Sequence, residues 1–235
     1  MVTDGLSDKP WLLVPGTLCT GAVFDGFLNA LGVADGERTY VTLDRPSVDD
    51  YRADFEGLAD DTIICGFSLG AIVAAHFADS ITADRLIFFG LNPYADDPAK
   101  APSRHALAQD VAAQGGAAAL RTRLPDVFGP DPDATRTAIC QMADESAPLI
   151  SAQTQLALSR SGALPALKRA AIPVLTATGT QDQAALPDQG RAAAQSAPNG
   201  QFCELVGLGH FALMENPDVC ATVVRNWHEA RHEHI

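Results

Sequence analysis

The chain has 235 residues, 47% of them hydrophobic, and a formal net charge of −13. This length predicts one domain with a substantial core, and the negative charge argues against nucleic acid and anionic membranes as partners, because like charges repel. The sequence contains neither an apolar run of the roughly 18 residues that a membrane-spanning helix needs nor a signal-peptide pattern at residues 1–10, so we expect a cytoplasmic protein. Its five cysteines are not closely spaced, which favours buried, reduced thiols over a disulfide framework or a zinc site.

Short apolar runs alternate with helical patterns in the first part of the chain. The apolar runs are continuous, which is typical of parallel strands that are buried on both faces. The predicted strands are 11–14, 39–43, 62–65 and 85–89, and the predicted helices are 20–31, 49–58 and 69–80. This alternation predicts an α/β protein with a mostly parallel sheet and helices on both faces.

The segment from Gly66 to Gly70, between the third strand and the helix after it, reads Gly-Phe-Ser-Leu-Gly. In such a turn the serine backbone is strained and its neighbours must be small, as Gly66 and Gly70 are. The turn lifts the hydroxyl of Ser68 clear of the sheet, and the N-terminus of the next helix favours negative charge at the same place. Ser68 is therefore a candidate nucleophile; a serine that merely caps a helix is the alternative.

The pattern changes between residues 93 and 171, where proline and glycine separate helical stretches and no strong strand pattern occurs. The predicted helices are 103–114, 116–123, 133–145 and 147–160. This segment leaves the carboxyl end of a strand, the side on which ligands bind in open α/β sheets. We therefore expect a helical cap over Ser68, with a plain helical packing layer as the alternative.

Strands and helices alternate again after residue 171. The predicted strands are 172–177 and 201–206, with a helix at 187–197 between them and a final helix that Pro217 opens. Asp182 lies in the loop after the first of these strands, and His210 lies in the loop after the second. Both side chains are therefore expected at the edge of the sheet where Ser68 lies.

A serine hydroxyl needs a base to take its proton, and that base is usually a histidine oriented by an acid. Among the six histidines, His210 has the right position to be this base, and Asp182 is the candidate acid. Asp96 ranks far behind Asp182, because it follows its strand only after a proline and a tyrosine. The other histidines are expected away from the site: His76 on the helix after Ser68, His105 in the cap, and His228, His232 and His234 in a polar, solvated or disordered tail.

With these three residues in this order, the chain resembles the α/β-hydrolase fold family, in particular its small esterase-like members, which include carboxylesterases, enol-lactonases and cofactor-free perhydrolases. The motifs that carry the resemblance are Leu13-Val-Pro-Gly-Thr-Leu-Cys19, Gly66-Phe-Ser-Leu-Gly70, Gly179-Thr-Gln-Asp182 and Gly207-Leu-Gly-His-Phe-Ala-Leu-Met-Glu-Asn-Pro217. The resemblance covers nearly the whole chain. It implies a core domain of residues 1–92 and 172–235 with a cap at 93–171, and a sheet of about six strands, because the N-terminus is too short for the two strands that often precede this core.

The resemblance also implies an oxyanion hole and a mechanism that uses no metal or organic cofactor. In this family the residue after the glycine of the first loop donates one N–H, which here is Thr17, with Leu18 as the second choice. The residue after the nucleophile, Leu69, donates the other N–H. Pro15 stands where the family usually has histidine, a departure that concerns this loop and not the three catalytic candidates.

Side chains of the cap and of the rim of the site are expected to select the substrate. The candidates are apolar or nearly so: Leu18, Phe67, Tyr94, Phe128, Met142, Leu149 and Phe211. They predict a small or medium apolar acyl group. Arg104, Arg121 and Arg123 are candidates to meet a carboxylate.

The sequence thus predicts a serine hydrolase that cleaves a small-molecule ester through an acyl-enzyme on Ser68, as a monomer or a homodimer. A lactonase, thioesterase, carbon–carbon bond hydrolase or perhydrolase would use the same three residues, so these reactions stay open. A non-catalytic ligand-binding protein of the same fold is the alternative of another class. Dehalogenase and epoxide hydrolase chemistry is disfavoured, because those relatives carry aspartate where this chain has Ser68.

Overall fold

Six parallel strands form one sheet in the computed structural model, which describes residues 5–232. The strands are β1 (Trp11–Val14), β2 (Arg38–Tyr40), β3 (Ile63–Phe67), β4 (Arg85–Phe89), β5 (Val174–Gly179) and β6 (Gly200–Leu205). Their spatial order is β2-β1-β3-β4-β5-β6, and every neighbouring pair is parallel. This arrangement confirms the predicted fold class and the expected number of strands.

Helices connect the strands and cover the sheet. The α-helices are α1 (Asp25–Leu31), α2 (Leu69–His76), α3 (Ala101–Gln114), α4 (Gly116–Leu120), α5 (Pro132–Ser146), α6 (Ile150–Ser159), α7 (Leu164–Leu167), α8 (Pro187–Ser196), α9 (Ala212–Glu215) and α10 (Pro217–His232). Short 3₁₀ helices occur at Gly21–Phe24, Asp35–Glu37, Val48–Phe55, Pro98–Lys100 and Ala147–Leu149. Within residues 5–232, none of the helices combines the length and the hydropathy that crossing a membrane requires.

Several predicted elements differ in their bounds from the observed ones, and three of them lie in or beside the sheet. The strand predicted at 39–43 pairs with β1 up to Tyr40, and the N–H of Val41 makes the last hydrogen bond, to the carbonyl oxygen of Leu13 at 2.9 Å. Val41 and Leu43 are buried in the core. The helix predicted at 49–58 is a 3₁₀ helix, Val48–Phe55. The strand predicted from residue 172 starts at Val174, because Pro173 has no N–H to donate to the ladder.

Neighbouring residues of the central strands pack into different cores. Ile63, Cys65 and Phe67 belong to one buried cluster with α1 and α10, whereas Ile64 belongs to the cluster on the opposite face with α2. Both faces of the strand are therefore covered. This double burial is the physical reason for the continuous apolar runs in the sequence.

The segment between β4 and β5 contains the helices α3 to α7. Val111, Ala119, Ala143 and Ile150 of these helices form a small buried cluster with Leu18, which lies in the loop after β1. The helical segment thus packs against the carboxyl edge of the sheet.

Candidate active site

Ser68 lies at the turn between β3 and α2 in a strained backbone conformation, with φ 52° and ψ −118°. Its N–H donates a hydrogen bond to the carbonyl oxygen of Phe89 at 2.9 Å, which ties the turn to β4. A Cβ on Gly66 would lie 2.5 Å from Cα of Ala71, and one on Gly70 would lie 2.0 Å from the carbonyl oxygen of Val14. Only glycine fits at both positions, as the sequence motif predicts.

His210 bridges Ser68 and Asp182. Its Nε2 lies 3.0 Å from Oγ of Ser68, and its Nδ1 lies 2.8 Å from Oδ2 of Asp182. Because an ionised carboxylate only accepts hydrogen bonds, Nδ1 carries the proton and Nε2 is the acceptor for the serine hydroxyl. This tautomer is the one in which the histidine can take a proton from the serine.

Asp182 is held from two sides. Its side chain is only 1% exposed, and its Oδ1 accepts hydrogen bonds from the N–H groups of Ala184 and Ala185 at 2.8 and 2.9 Å. Because Oδ1 is engaged by these donors, Oδ2 faces His210. The backbone of the loop after β5 thus fixes the orientation of the carboxylate.

The ring of His210 is packed on several sides. The rings of Phe67 and Phe211 have centroids 5.1 and 5.5 Å from the imidazole centroid. Gly90, at the carboxyl end of β4, has φ +60°, and a Cβ added there would lie 3.1 Å from Cε1 of His210. Glycine at this position leaves the imidazole the space that it occupies between Ser68 and Asp182.

Thr17 and Leu69 line the cavity at Ser68. Within the described part of the chain, no protein acceptor takes the N–H of either residue. Leu18, the second choice for this role, donates its N–H to Oε1 of Gln153 at 3.0 Å and is therefore unavailable. The loop lies close to the serine, since a Cβ on Gly16 would lie 3.0 Å from Cβ of Ser68.

A cavity of about 590 Å³ opens beside Ser68 and His210. Four cationic side chains line it: Lys100, Arg104, Arg123 and Arg160. A second groove, of about 730 Å³, is lined by Tyr94 and contains none of the three hydrogen-bonded residues described above. The first cavity is therefore the one that chemistry at Ser68 can use.

The side chains expected to contact the substrate do not line this cavity. Two of them, Phe67 and Phe211, are buried behind His210, and Leu18 and Met142 are buried in core clusters. The other three lie elsewhere: Tyr94 at the second groove, Leu149 at a small pocket near Pro15, and Phe128 next to Gly209. The seven candidates thus lie in other places, and the apolar residues that do line the cavity are Leu69, Ile72, Leu107, Ala184 and Ala185.

The remaining nucleophile, base and acid candidates have other partners. His76 lies between the carbonyl oxygens of Ile72 and Ser161, and Asp96 pairs with Arg104. The predicted tail position of His228 is corrected: its ring is buried and lies against the guanidinium of Arg85. His105 is exposed on α3, whereas the side chains of His232 and His234 lie outside the described residues.

The cysteines near the site are unsuited to act as nucleophiles. Burial raises the pKa of the Cys19 thiol to about 12, and it also raises the pKa of Cys65 well above its ordinary value. Both side chains therefore stay protonated at neutral pH. All five cysteines are free thiols, and within residues 5–232 no group of three or more histidine, cysteine or acidic residues is arranged to hold a metal ion.

Several residues of the site have no signal in the sequence. Gln153 is a polar residue in the middle of α6, Arg160 follows the same helix, and Lys100 precedes α3. Their position at the site depends on how the helices pack on the sheet, and hydrophobic periodicity does not report that packing. Gly90 is different, because a glycine directly after a buried strand indicates a turn or a close approach at that edge.

A serine turn follows the third strand of the parallel sheet, and an aspartate and a histidine follow its last two strands in that order. This arrangement is typical of the α/β-hydrolase class. The chain belongs to the alpha/beta hydrolase family, whose model matches residues 11–223. This match confirms the resemblance on which the sequence analysis relied.

Solved structures of hydrolases share the fold at low sequence identity. A thermophilic esterase from Thermogutta terrifontis, with malate bound, is 21% identical with a TM-score of 0.78, over 94% of this chain and 89% of that one. The enol-lactonase from Burkholderia xenovorans LB400 is 19% identical with a TM-score of 0.77, over 94% of this chain and 91% of that one. A carboxylesterase structure from the thaumarchaeon Nitrososphaera gargenis is 15% identical with a TM-score of 0.77, over 98% of this chain and 93% of that one. No curated protein sequence matches the chain.

Proposed function

We propose that the protein is a serine hydrolase that cleaves a small-molecule carboxylic ester through an acyl-enzyme on Ser68. The observation that carries this proposal is the position of His210, which is 3.0 Å from Oγ of Ser68 and 2.8 Å from Oδ2 of Asp182, beside an open cavity. Membership of the alpha/beta hydrolase family supports hydrolysis as the reaction class, and esterases occur among the similar structures.

The first half of the proposed reaction acylates the enzyme. Oγ of Ser68 attacks the carbonyl carbon while its proton passes to Nε2 of His210, and the carbonyl electron pair moves onto oxygen. The N–H groups of Thr17 and Leu69 stabilise this oxyanion, and each such donor is worth roughly 3 kcal/mol of barrier. The electron pair on the oxyanion then re-forms the carbonyl bond, the bond to the alcohol oxygen breaks, and His210 gives its proton to the leaving alcohol.

The second half releases the acid. Water gives a proton to Nε2 of His210 as its oxygen attacks the acyl carbon, and the bond from that carbon to Oγ of Ser68 then breaks while Oγ recovers the proton. The sum is one ester and one water converted to one acid and one alcohol. Asp182 stabilises the imidazolium that forms in each half and keeps the proton on Nδ1.

Intact mass after incubation with a fluorophosphonate tests this proposal, together with turnover of p-nitrophenyl acetate and butyrate. We expect one adduct per chain and measurable turnover, both abolished in Ser68→Ala. Ser151→Ala is the control, because Ser151 is exposed on α6, and it should label like the wild type. Folded wild-type protein that neither labels nor turns over any ester would contradict the proposal.

A further inference from the structure

The cavity at Ser68 concentrates positive charge in a strongly negative protein. Four of the 16 lysines and arginines line it, namely Lys100, Arg104, Arg123 and Arg160, although the chain has a formal charge of −13. Within the described residues its lining contains no aspartate or glutamate. Such a grouping of cations beside Ser68 would attract an anionic ligand.

Asp96 neutralises only part of this charge. Its Oδ1 accepts from Nη2 of Arg104 at 2.6 Å, and its Oδ2 accepts from Nε of Arg104 at 2.7 Å. The same Oδ1 forms an ion pair with Nη2 of Arg160 at 3.1 Å. One carboxylate therefore serves two guanidinium groups. The Nη1 edge of Arg104 has no partner among the described residues, and this side chain is 28% exposed.

Arg160 is a buried cation that still has an unused donor. Its side chain is 3% exposed, its Nη1 donates to the carbonyl oxygen of Ala157 at 3.0 Å, and its Nε has no partner among the described residues. Burial lowers the pKa of Arg160 to about 10, against the attraction of Asp96 and with further lowering by the charge of Arg104. The side chain is thus cationic at neutral pH, and an anion in the cavity would relieve its repulsion with Arg104.

Arg123 adds a third guanidinium from a different element. It follows α4, donates to the carbonyl oxygen of Ala119 at 2.9 Å and pairs with Asp110, which does not line the cavity. Guanidinium groups are planar forks that match a carboxylate.

The cavity volume of about 590 Å³ is within the range of small-molecule sites.

We propose that the substrate is an ester that also carries a free carboxylate, which Arg104, Arg123 and Arg160 bind while the ester carbonyl lies at Ser68. This inference rests on the proposed function, because it names the substrate class of the same site. It adds a carboxylate to the small-molecule ester that the sequence predicted, because four cationic residues line the cavity and none of the apolar candidates does.

Matched pairs of substrates test the inference at constant ionic strength. Monoethyl adipate is compared with the monoamide monoethyl ester of adipic acid, which has the same shape without the charge. O-Butanoyl glycolate and O-butanoyl glycolamide form the second pair and place the carboxylate on the alcohol side. We expect kcat/KM of the wild type to be about 10- to 100-fold higher for the charged member of at least one pair, as one charged hydrogen bond predicts. The pair that shows this preference identifies whether the carboxylate is on the acyl or the alcohol side of the ester.

The variants Arg104→Met and Arg123→Met test whether the cavity arginines cause the preference for charged substrates. Each is expected to reduce the preference ratio by about tenfold or more, and the use of two variants protects the test against misfolding of one of them. Arg121→Met is the matched control, because Arg121 is exposed and does not line the cavity, and it should keep the wild-type ratio. Inorganic phosphate and adipate are added separately as inhibitors, and stronger inhibition by phosphate would overturn the choice of carboxylate.

The possible failures are distinguishable. Fluorophosphonate labelling and ester turnover with a preference ratio near one for both pairs would overturn the inference and leave the proposed function intact. A high ratio that neither arginine variant lowers would overturn the assignment to these arginines. An absence of both labelling and turnover in folded protein would overturn the proposed function, and the inference with it.

Discussion

The side-chain oxygen of Gln153 accepts a hydrogen bond from the backbone N–H of Leu18 at 3.0 Å. The contact joins α6 to the loop after β1, across 135 residues of sequence, and Gln153 is only 1% exposed. Leu18 has φ +54°, a conformation that a non-glycine residue adopts only when its surroundings hold it there. Gln153 therefore fixes the conformation of the loop from which Thr17 is proposed to stabilise the oxyanion.

Replacement of Gln153 by methionine tests this positioning role, because methionine keeps the length of the side chain and removes the acceptor. The buried N–H of Leu18 is then unsatisfied, which costs about 1–3 kcal/mol of unfolding free energy. We expect kcat to fall by about 10- to 100-fold, less than the loss from removing a donor outright, with KM nearly unchanged. The measurements are thermal unfolding and steady-state kinetics, with Gln141→Met on the exposed face of α5 as the control. A variant that loses stability but keeps its kcat would contradict the positioning role.

The sheet and the three hydrogen-bonded residues at its edge were predictable, because each depends on local sequence. Continuous apolar runs mark strands buried on both faces, and parallel strands bring the loops that follow them to one edge, so Ser68, Asp182 and His210 could be placed together. The cavity lining was not predictable in this way. Arg123 and Arg160 follow different helices, α4 and α6, and their position at one cavity depends on how those helices pack. Hydrophobicity also cannot distinguish a pocket wall from a core, and Met142, a predicted substrate contact, packs in a core cluster.

Asp182→Asn should abolish most activity through the tautomer of His210. Because Oδ1 accepts from the N–H groups of Ala184 and Ala185, the asparagine oxygen is expected to keep that position and the NH₂ group to face Nδ1. Nδ1 must then be the acceptor, which moves the ring proton to Nε2, where it blocks proton transfer from Ser68. We expect kcat to fall by up to about 10⁴-fold with the fold intact, as in serine proteases. Asp188→Asn, at an exposed position of α8, is the control, and wild-type kcat in Asp182→Asn would exclude this role.

Gly90→Ala should displace His210. The added Cβ would lie 3.1 Å from Cε1 of the ring in a backbone with φ +60°, so the variant combines backbone strain of about 1–3 kcal/mol with a steric conflict at the imidazole. Gly57→Ala separates the two effects, because Gly57 has φ +69° and nothing within 4 Å of the added Cβ. Both variants should unfold at lower temperature, and only Gly90→Ala should lose ester hydrolysis and fluorophosphonate labelling. Equal activity in the two variants would show that the space at Gly90 is not needed.

Glu215 gives a prediction for the pH dependence of stability. Its side chain is buried, 2% exposed, and accepts a hydrogen bond from the N–H of Gly209, next to His210. Burial raises the pKa of this carboxyl above its ordinary value of 4.5, and nearby backbone N–H groups, that of Gly209 foremost, offset only part of the effect. At pH values between the pKa of Glu215 in the unfolded chain and its higher pKa in the folded chain, the carboxyl is therefore protonated in the native state and ionised in the unfolded state. The contribution of Glu215 to the free energy of unfolding accordingly falls as pH rises through this interval, and it is constant above the folded pKa.

Glu215→Gln removes this ionisation and keeps an oxygen that can accept from Gly209. The measurement is the free energy of unfolding of both proteins, from urea denaturation at about pH 4 and at about pH 7.5, which bracket the ordinary carboxyl range. Subtracting the unfolding free energies of wild type and variant cancels the contributions of the other titrating groups. The remaining difference reflects Glu215 and should shift in favour of the variant as pH rises. Glu229→Gln, at an exposed position of α10, shows the effect of removing a charge from the surface and should give a difference that does not depend on pH in this way. The difference for Glu215→Gln could instead stay constant with pH or shift in favour of the wild type. Either result would contradict a pKa of Glu215 that burial raises.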